Sequence, residues 1–476
     1  MKNVRAVTFF LVALLTGTYA HCRETAIKNR PNVILIVMDT TRVDGISAFR
    51  TDGKEITPNI DRLARSGVMF TRALSNSNFT TISHMSLFTG LLPSTHGVFS
   101  PDDPKQVLKT EYKLLAEILR SNGYRTFWSG LNSTNHFNPW LGFSRGFDAF
   151  RQTEIAPPRL IKNEDSDNDN FAQQQILEWI LKDRDKPFFI FAHAWTPHAP
   201  YLSSAPQNQN FLIPTYKGSL IADLDVFVRK LHSSDFELTS LSPLNPRYKK
   251  SKIFNTDMWK GLMFHDPVSR AYWSDLKEDD LLKEAEFLRG AYFAAINRFD
   301  SALGTVLDEL KKLGALDNTL IVLTSDHGEE FFEHGNFYHQ NLHNENLHIP
   351  LIFSGLGLKN KKKNELVSLI DIAPTILSIL QIPTDQYFDG RALKMSDEQE
   401  SLDSSKVEVL SISADKSGTI QNSRWKVLYK RGQKTRVYDL AKDPGELSPV
   451  SVLKEQKQEI EGMKRRLAAR LGTSVQ

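Results

Sequence analysis

Four stretches of the chain are unbroken apolar runs that stop at polar residues: "NVILIVMD" at 32–39, "KPFFIFAHAW" at 186–195, "NTLIVLTSDHGEE" at 318–330 and "HIPLIFSG" at 348–355. Continuous apolar runs suit strands covered on both faces, and so predict a mainly parallel sheet with helices outside it. Helical spacing fills the intervals, in "TPNIDRLARSGVMF" (57–70), "EYKLLAEILRSNGY" (111–124), "FAQQQILEWILKD" (171–183), "YFAAINRFDSALGTVLDELKKLG" (292–314) and "VSLIDIAPTILSIL" (367–380). Several of these close at Gly or Asn-Gly, as helix ends tend to. In an α/β sheet of this kind ligands bind beyond the carboxyl ends of the strands. The polar residues after each run are therefore predicted to converge on one rim.

Two regions depart from this rhythm. Residues 202–285 mix charge, aromatics and proline and read as an insertion or lid within a catalytic domain of residues 31–385. From 386 to 476 the pattern changes to short alternating strands such as "RWKVLYK" and "TRVYDL", then a charged helix, "KEQKQEIEGMKRRLAARL", which predicts a small C-terminal α+β subdomain. At the other end, Lys2 and Arg5, an apolar run and small residues up to Ala20 have the three-part layout of a signal peptide over residues 1–20. The run is shorter than the roughly 20 residues a membrane span needs, so an exported protein, periplasmic or secreted, with no stable span after cleavage is expected.

Composition narrows the partners. The formal charge is +3 from 59 basic and 56 acidic side chains, so nothing global points to nucleic acid or an anionic membrane. A single cysteine, Cys22, excludes an internal disulfide, so stability outside the cell must rest on packing and on metal.

Three segments collect candidate ligands: Asp39 ends the first apolar run, Asp326 and His327 follow the third, and Thr80-Thr81 precede a helix-like "SHMSLFTG". Two carboxylates, an imidazole and a hydroxyl oxygen can hold one divalent cation while leaving room for substrate. Each piece alone is common, since strand-end aspartates usually serve as caps or turn residues. Their joint order carries the signal.

That order resembles one family. "PNVILIVMDTTR", "TPNIDRLARSGVMFTRA", "SHMSLFTGLLPSTHGV", "TPHAPY", "TSDHGEEFFEHG", "VSLIDIAPTIL" and "YDLAKDPGE" are similar, in order and spacing, to motifs of the sulfatase family within the alkaline phosphatase superfamily. The resemblance covers roughly residues 31–450. It implies an α/β, alkaline-phosphatase-like three-layer sandwich with a central, mostly parallel sheet, a four-stranded C-terminal subdomain, and a metal-assisted nucleophile attacking sulfur or phosphorus. The family's signature, Cys or Ser followed by x-Pro-Ser-Arg, falls on Thr80, with Ile82 for the Pro, Ser83 kept, and His84 for the Arg. Sulfatases oxidise that Cys or Ser to an aldehyde hydrate, which Thr cannot form. Other exchanges agree: Leu131 and Ser133 stand where the family has Lys and His, His339 replaces a sulfate-binding Lys, and Thr40 replaces the second Asp of a pair. His198 is kept. Threonine nucleophiles with this ligand set resemble instead the phosphodiester and phosphonate branch, which includes phosphoethanolamine and phosphoglycerol transferases.

The resemblance implies that Asp39, Thr80, Asp326 and His327 hold one divalent ion. One imidazole among oxygens leans toward manganese or zinc and away from calcium. His198 and His339 would bind substrate oxygens, one protonating the leaving group. The substrate would be a small-molecule, glycan or lipid ester. A transferase, a sulfatase working by an unmodified route, and a non-catalytic glycan binder are the alternatives. Other residues read more plainly: His84 orients the nucleophile helix, His96 holds a turn, Arg42 and Asp44 pair near the metal loop, His334 is either ligand or packing, and Trp425 is subdomain core.

Overall fold

The structure, a computed structural model, describes residues 30–132, 136–154, 168–182, 185–198, 278–396 and 407–475. The expected signal peptide, residue Ser133 and most of the expected insertion lie outside the described residues.

The main sheet is built from β1 (Asn32–Met38), β2 (Gly67–Leu74), β3 (Arg125–Asn132), β4 (Ala149–Glu154), β5 (Phe188–Ala194) and β6 (Thr319–Thr324). After a short hairpin of β7 (Glu330–Phe331) and β8 (Phe337–Tyr338), β9 (His348–Ser354) and β10 (Lys361–Ser368) complete it. The order is β10-β2-β9-β6-β1-β5-β3-β4. Alternation along β1 assigns the two faces. Val33, Leu35 and Val37 join a core with α2 (Thr80–Thr89), α3 (Leu115–Ser121) and α6 (Ile372–Ile379), while Ile34, Ile36 and Met38 join one with α1 (Pro58–Arg65), α4 (Asn168–Lys182) and α5 (Glu278–Lys312). Helices therefore cover both faces, as the apolar runs require.

The four predicted runs are β1, β5, β6 and β9. The first three lie side by side and parallel, whereas β9 runs antiparallel to both β2 and β6. The polar residues after β9 thus leave the rim that the sequence assigned them. "TPNIDRLARSGVMF" is not one helix: α1 ends at Arg65 and β2 begins at Gly67. The last eight residues of the expected insertion, from Glu278, open the 35-residue helix α5.

A second, antiparallel sheet, β11 (Val409–Ile412), β12 (Gly418–Gln421), β13 (Trp425–Tyr429) and β14 (Arg436–Asp439), packs against α7 (Lys457–Leu471). Trp425 is part of that core. Its edge strand reaches the main domain where the Ile412 N–H donates to Asn76 O at 2.9 Å, just before α2. Among the described residues no helix is long and apolar enough to cross a membrane.

Candidate active site

Strand β1 lies between its parallel neighbours β6 and β5, so their carboxyl ends open on the same rim. Asp39 follows β1, Asp326 follows β6, and His193 and His198 lie at and beyond the end of β5. Local bonds lock the first two together. Thr40 adopts a left-handed backbone (φ 54°) that turns its N–H onto Asp326 Oδ1 at 3.1 Å, and the Thr41 N–H donates to Ser325 Oγ at 2.8 Å. The residue standing in for the family's second Asp serves through its backbone. Gly328 is required for a different reason: a Cβ there would lie 2.0 Å from the Glu345 carbonyl oxygen.

Thr80 is the first residue of α2, a helix whose ten residues are all buried. Its Oγ1 is 3.3 Å from His327 Nε2. His327 Nδ1 donates to the Gly328 carbonyl at 3.0 Å, which leaves Nε2 with a lone pair facing Thr80 and, at 3.4 Å, Asp326 Oδ2. Ligand atoms of Asp39, Asp326 and His327 all lie within 4.8 Å of one another. Both Asp39 oxygens and Asp326 Oδ2 are buried without a hydrogen-bond partner among the described residues. Buried carboxylate oxygens without donors are costly. A divalent cation fits this donor set. Burial, and then the charge of Asp326, raise the Asp39 carboxyl well above its ordinary range. Burial pushes Asp326 up too, but the nearby His327, His84 and His193 outweigh it and hold Asp326 low.

The imidazoles of His198 and His339 lie beside this cluster. The His339 ring is 4.4 Å from that of His327 and 5.7 Å from that of His198. His198 stacks on Trp195 at 3.9 Å. His339 Nδ1 sits 3.2 Å from Glu329 Oε1, and the His339 carbonyl accepts from Asn78 Nδ2 at 2.7 Å. The structure thus gathers Asp39, Thr80, Asp326, His327, His198 and His339 at one site.

Three groups here were missed from sequence. Glu329 hides in the "GEE" pair. His136, with Nδ1 3.2 Å from Thr81 Oγ1 and its ring edge-on to Phe79 at 5.2 Å, comes three residues after Ser133 in the loop where the family's His was sought. Burial, then the nearby His198, push His136 down to about 3, so it is neutral near pH 7. His193 sits inside an apolar run and reads as core. The remaining readings resolve simply. His84 Nδ1 donates to the Thr80 carbonyl at 2.8 Å and so orients the start of α2. His96 accepts the Val98 N–H at 3.1 Å and reaches Ser86 Oγ at 3.1 Å, which holds the turn. Arg42 grips Asp44 at 2.9 Å and the Glu329 carbonyl at 3.0 Å. His334 stacks on His343 at 3.7 Å and approaches Glu345 at 3.2 Å, outside the metal cluster.

A family model described as sulfatase matches residues 31–382, and the chain belongs to the sulfatase family. A second, described as N-sulphoglucosamine sulphohydrolase, C-terminal, matches residues 332–472. Arylsulfatase K of Canis lupus familiaris is 28% identical over 381 residues, which span 76% of this chain and 65% of that relative. The multifunctional alkaline phosphatase superfamily protein PehA of Trinickia caryophylli is 27% identical over 421 residues, 76% of each chain. The solved phosphonate monoester hydrolase of Agrobacterium radiobacter superposes with a TM-score of 0.71 at 21% identity, covering 93% of this chain and 96% of that one, a likeness of fold. The chain is an ester-bond hydrolase of the sulfatase family.

Proposed function

We propose that the protein is an exported, single-metal hydrolase that uses Thr80 as nucleophile on phosphodiester or phosphonate monoester bonds. One observation carries the reading: Thr80 Oγ1 lies 3.3 Å from Nε2 of His327, beside carboxylate oxygens of Asp39 and Asp326 that have no hydrogen-bond partner among the described residues. A divalent cation held by Asp39, Asp326, His327 and Thr80 would lower the pKa of the Thr80 hydroxyl and offset charge on a phosphoryl oxygen.

The chain's own residues supply the rest. Thr80 gives up its proton to solvent water, and Oγ1 bonds to phosphorus as the bond to the leaving oxygen breaks. The start of α2 favours the negative charge gathered there. The imidazolium of His339 or His198 protonates the departing oxygen. His339 suits that task because Glu329 anchors its Nδ1 and leaves Nε2 for the leaving group. Water then attacks the phosphothreonine, the same imidazole takes the water's proton, and Thr80 Oγ1 takes a proton back from solvent as the phosphorus–Oγ1 bond breaks.

A second reading, sulfate-ester hydrolysis without an aldehyde, is favoured by the similarity to arylsulfatase K. Initial rates on aryl sulfate, phosphate monoester, phosphodiester and phosphonate ester, with manganese, zinc or calcium restored after chelation, separate the two. Metal-dependent turnover of diester or phosphonate is the expected result. Preference for the sulfate overturns the first reading in favour of the second, and silence on all four points to a transferase or a binder.

A further inference from the structure

His193 is a buried imidazole that the mechanism leaves without a task. It lies one residue before the end of β5, opposite Val37, on the face that carries α2. Its Nε2 is 3.3 Å from Asp39 Oδ2, both side chains are fully buried, and neither imidazole nitrogen makes a hydrogen bond among the described residues. The ring is held edge-on by Phe137 at 4.8 Å and by His84 at 5.0 Å.

The neighbouring strand makes room for it. Gly130 of β3 pairs with His193, and a Cβ on Gly130 would come within 2.9 Å of the His193 Cβ and 3.2 Å of Trp128 Nε1. Glycine inside a strand is destabilising and often marks such a close approach. A site lined by Phe137, Trp128 and Phe191 would accept an apolar ring, and a polar one there costs free energy unless it is bonded.

Asp326 shows what a bond of this kind does to a ligand. Its Oδ1 accepts the N–H groups of Thr40 at 3.1 Å and His327 at 2.9 Å, which leaves Oδ2 as its single ligand oxygen. We propose that His193 is a positioning residue for the metal centre: from its place beside Asp39 Oδ2 a small turn of the ring lets Nε2 donate to that oxygen, which leaves the carboxylate a single ligand oxygen. This rests on the metal site proposed above. With two one-oxygen carboxylates, His327 Nε2 and Thr80 Oγ1, the chain offers few donors. Zinc suits about four ligands, whereas calcium takes roughly six to eight oxygens and often a bidentate carboxylate. His193 therefore biases the site toward zinc or manganese over calcium.

The test compares wild type with His193→Gln and His193→Met, side chains of similar size of which only the first can donate. Affinities for zinc, manganese and calcium are measured by calorimetric titration of the metal-free protein, with no substrate present. Loss of a bond that orients a ligand lowers metal affinity roughly 10- to 100-fold. The expected result is that drop for zinc and manganese in His193→Met, a smaller drop in His193→Gln, and a zinc-to-calcium preference that falls only in the former. Equal affinities and equal preference in both variants would overturn the proposal. Should His193→Met not fold, His193→Phe, which fills the aromatic cage, takes its place with the same two readings. Wild-type protein that binds none of the three ions would overturn the metal site itself, a failure distinct from equal binding by the variants.

Discussion

Thr80 and His327 meet across the gap between α2 and the loop after β6, Oγ1 to Nε2 at 3.3 Å. The contact follows from a bond on the far side of the ring, where Nδ1 donates to the Gly328 carbonyl at 3.0 Å. That single backbone acceptor decides which nitrogen keeps its lone pair, and so whether the ring can bind metal beside Thr80.

Gly328 is correspondingly intolerant. A side chain there meets the Glu345 carbonyl at 2.0 Å, so the loop must move and carry His327 with it. Gly328→Ala is expected to lower kcat/KM on the best substrate by roughly 100-fold, the order that a misplaced catalytic group costs. Steady-state kinetics alongside a thermal melt checks this, and unaltered kinetics would show that the loop absorbs the methyl group.

Glu329 should matter only when the leaving group needs a proton. It anchors His339 Nδ1 at 3.2 Å, and Glu329→Gln removes the charge that supports the imidazolium. Rates on alkyl esters are expected to fall by about 10- to 100-fold while nitrophenyl esters change little, within the usual range of general acid catalysis. A series of leaving groups of graded pKa gives the answer as a slope. An unchanged slope would remove His339 from the acid role.

How much of this was legible in sequence depended on whether the signal lay in a residue's own neighbourhood. β1, β5 and β6 announce themselves because a strand buried on both faces needs an unbroken apolar run. β10, "KKKNELVS", is an edge strand with alternating exposed residues, and nothing apolar marks its first half. The direction of β9 was hidden because pairing belongs to two strands at once. The site divides similarly. Asp39, Thr80, Asp326 and His327 stood out by order, whereas Thr40 works through its N–H, and His193 looks like one more residue of an apolar run until Gly130 is set against it.

Glu330 supplies a pH dependence of stability. Burial pushes its carboxyl up to about 7, against the N–H groups of His334 and Asn336 that donate to it at 2.8 and 3.3 Å. A carboxyl with a raised folded pKa adds full stability below its unfolded value near 4.5, and that contribution is lost as pH rises to about 7. Glu330→Gln should remove this loss, so its stability relative to wild type should rise over that window by on the order of 3 kcal/mol. Denaturant melts of both proteins at pH 4.5, 6 and 7.5 measure it, and parallel curves would contradict it.

The "YDLAKDPGE" segment ends in a buried acid, Glu446. Glu446 accepts Lys426 Nζ at 2.8 and 2.9 Å and contacts His343 Nδ1 at 2.7 Å, joining the C-terminal sheet to the segment between β8 and β9. Lys426→Met leaves the Glu446 charge buried and is expected to cost about 3–5 kcal/mol. The double variant Lys426→Met, Glu446→Gln should recover part of that in the same unfolding assay. Additive losses would mean that the pair is not coupled.

The central claim is that Thr80 is the nucleophile, and turnover by Thr80→Ala tests it most directly. With the preferred metal supplied in excess and metal binding measured in parallel, the variant should bind metal more weakly but still detectably, and hydrolyse the best diester or phosphonate at least about 1,000-fold more slowly. Turnover unchanged from wild type would contradict the account.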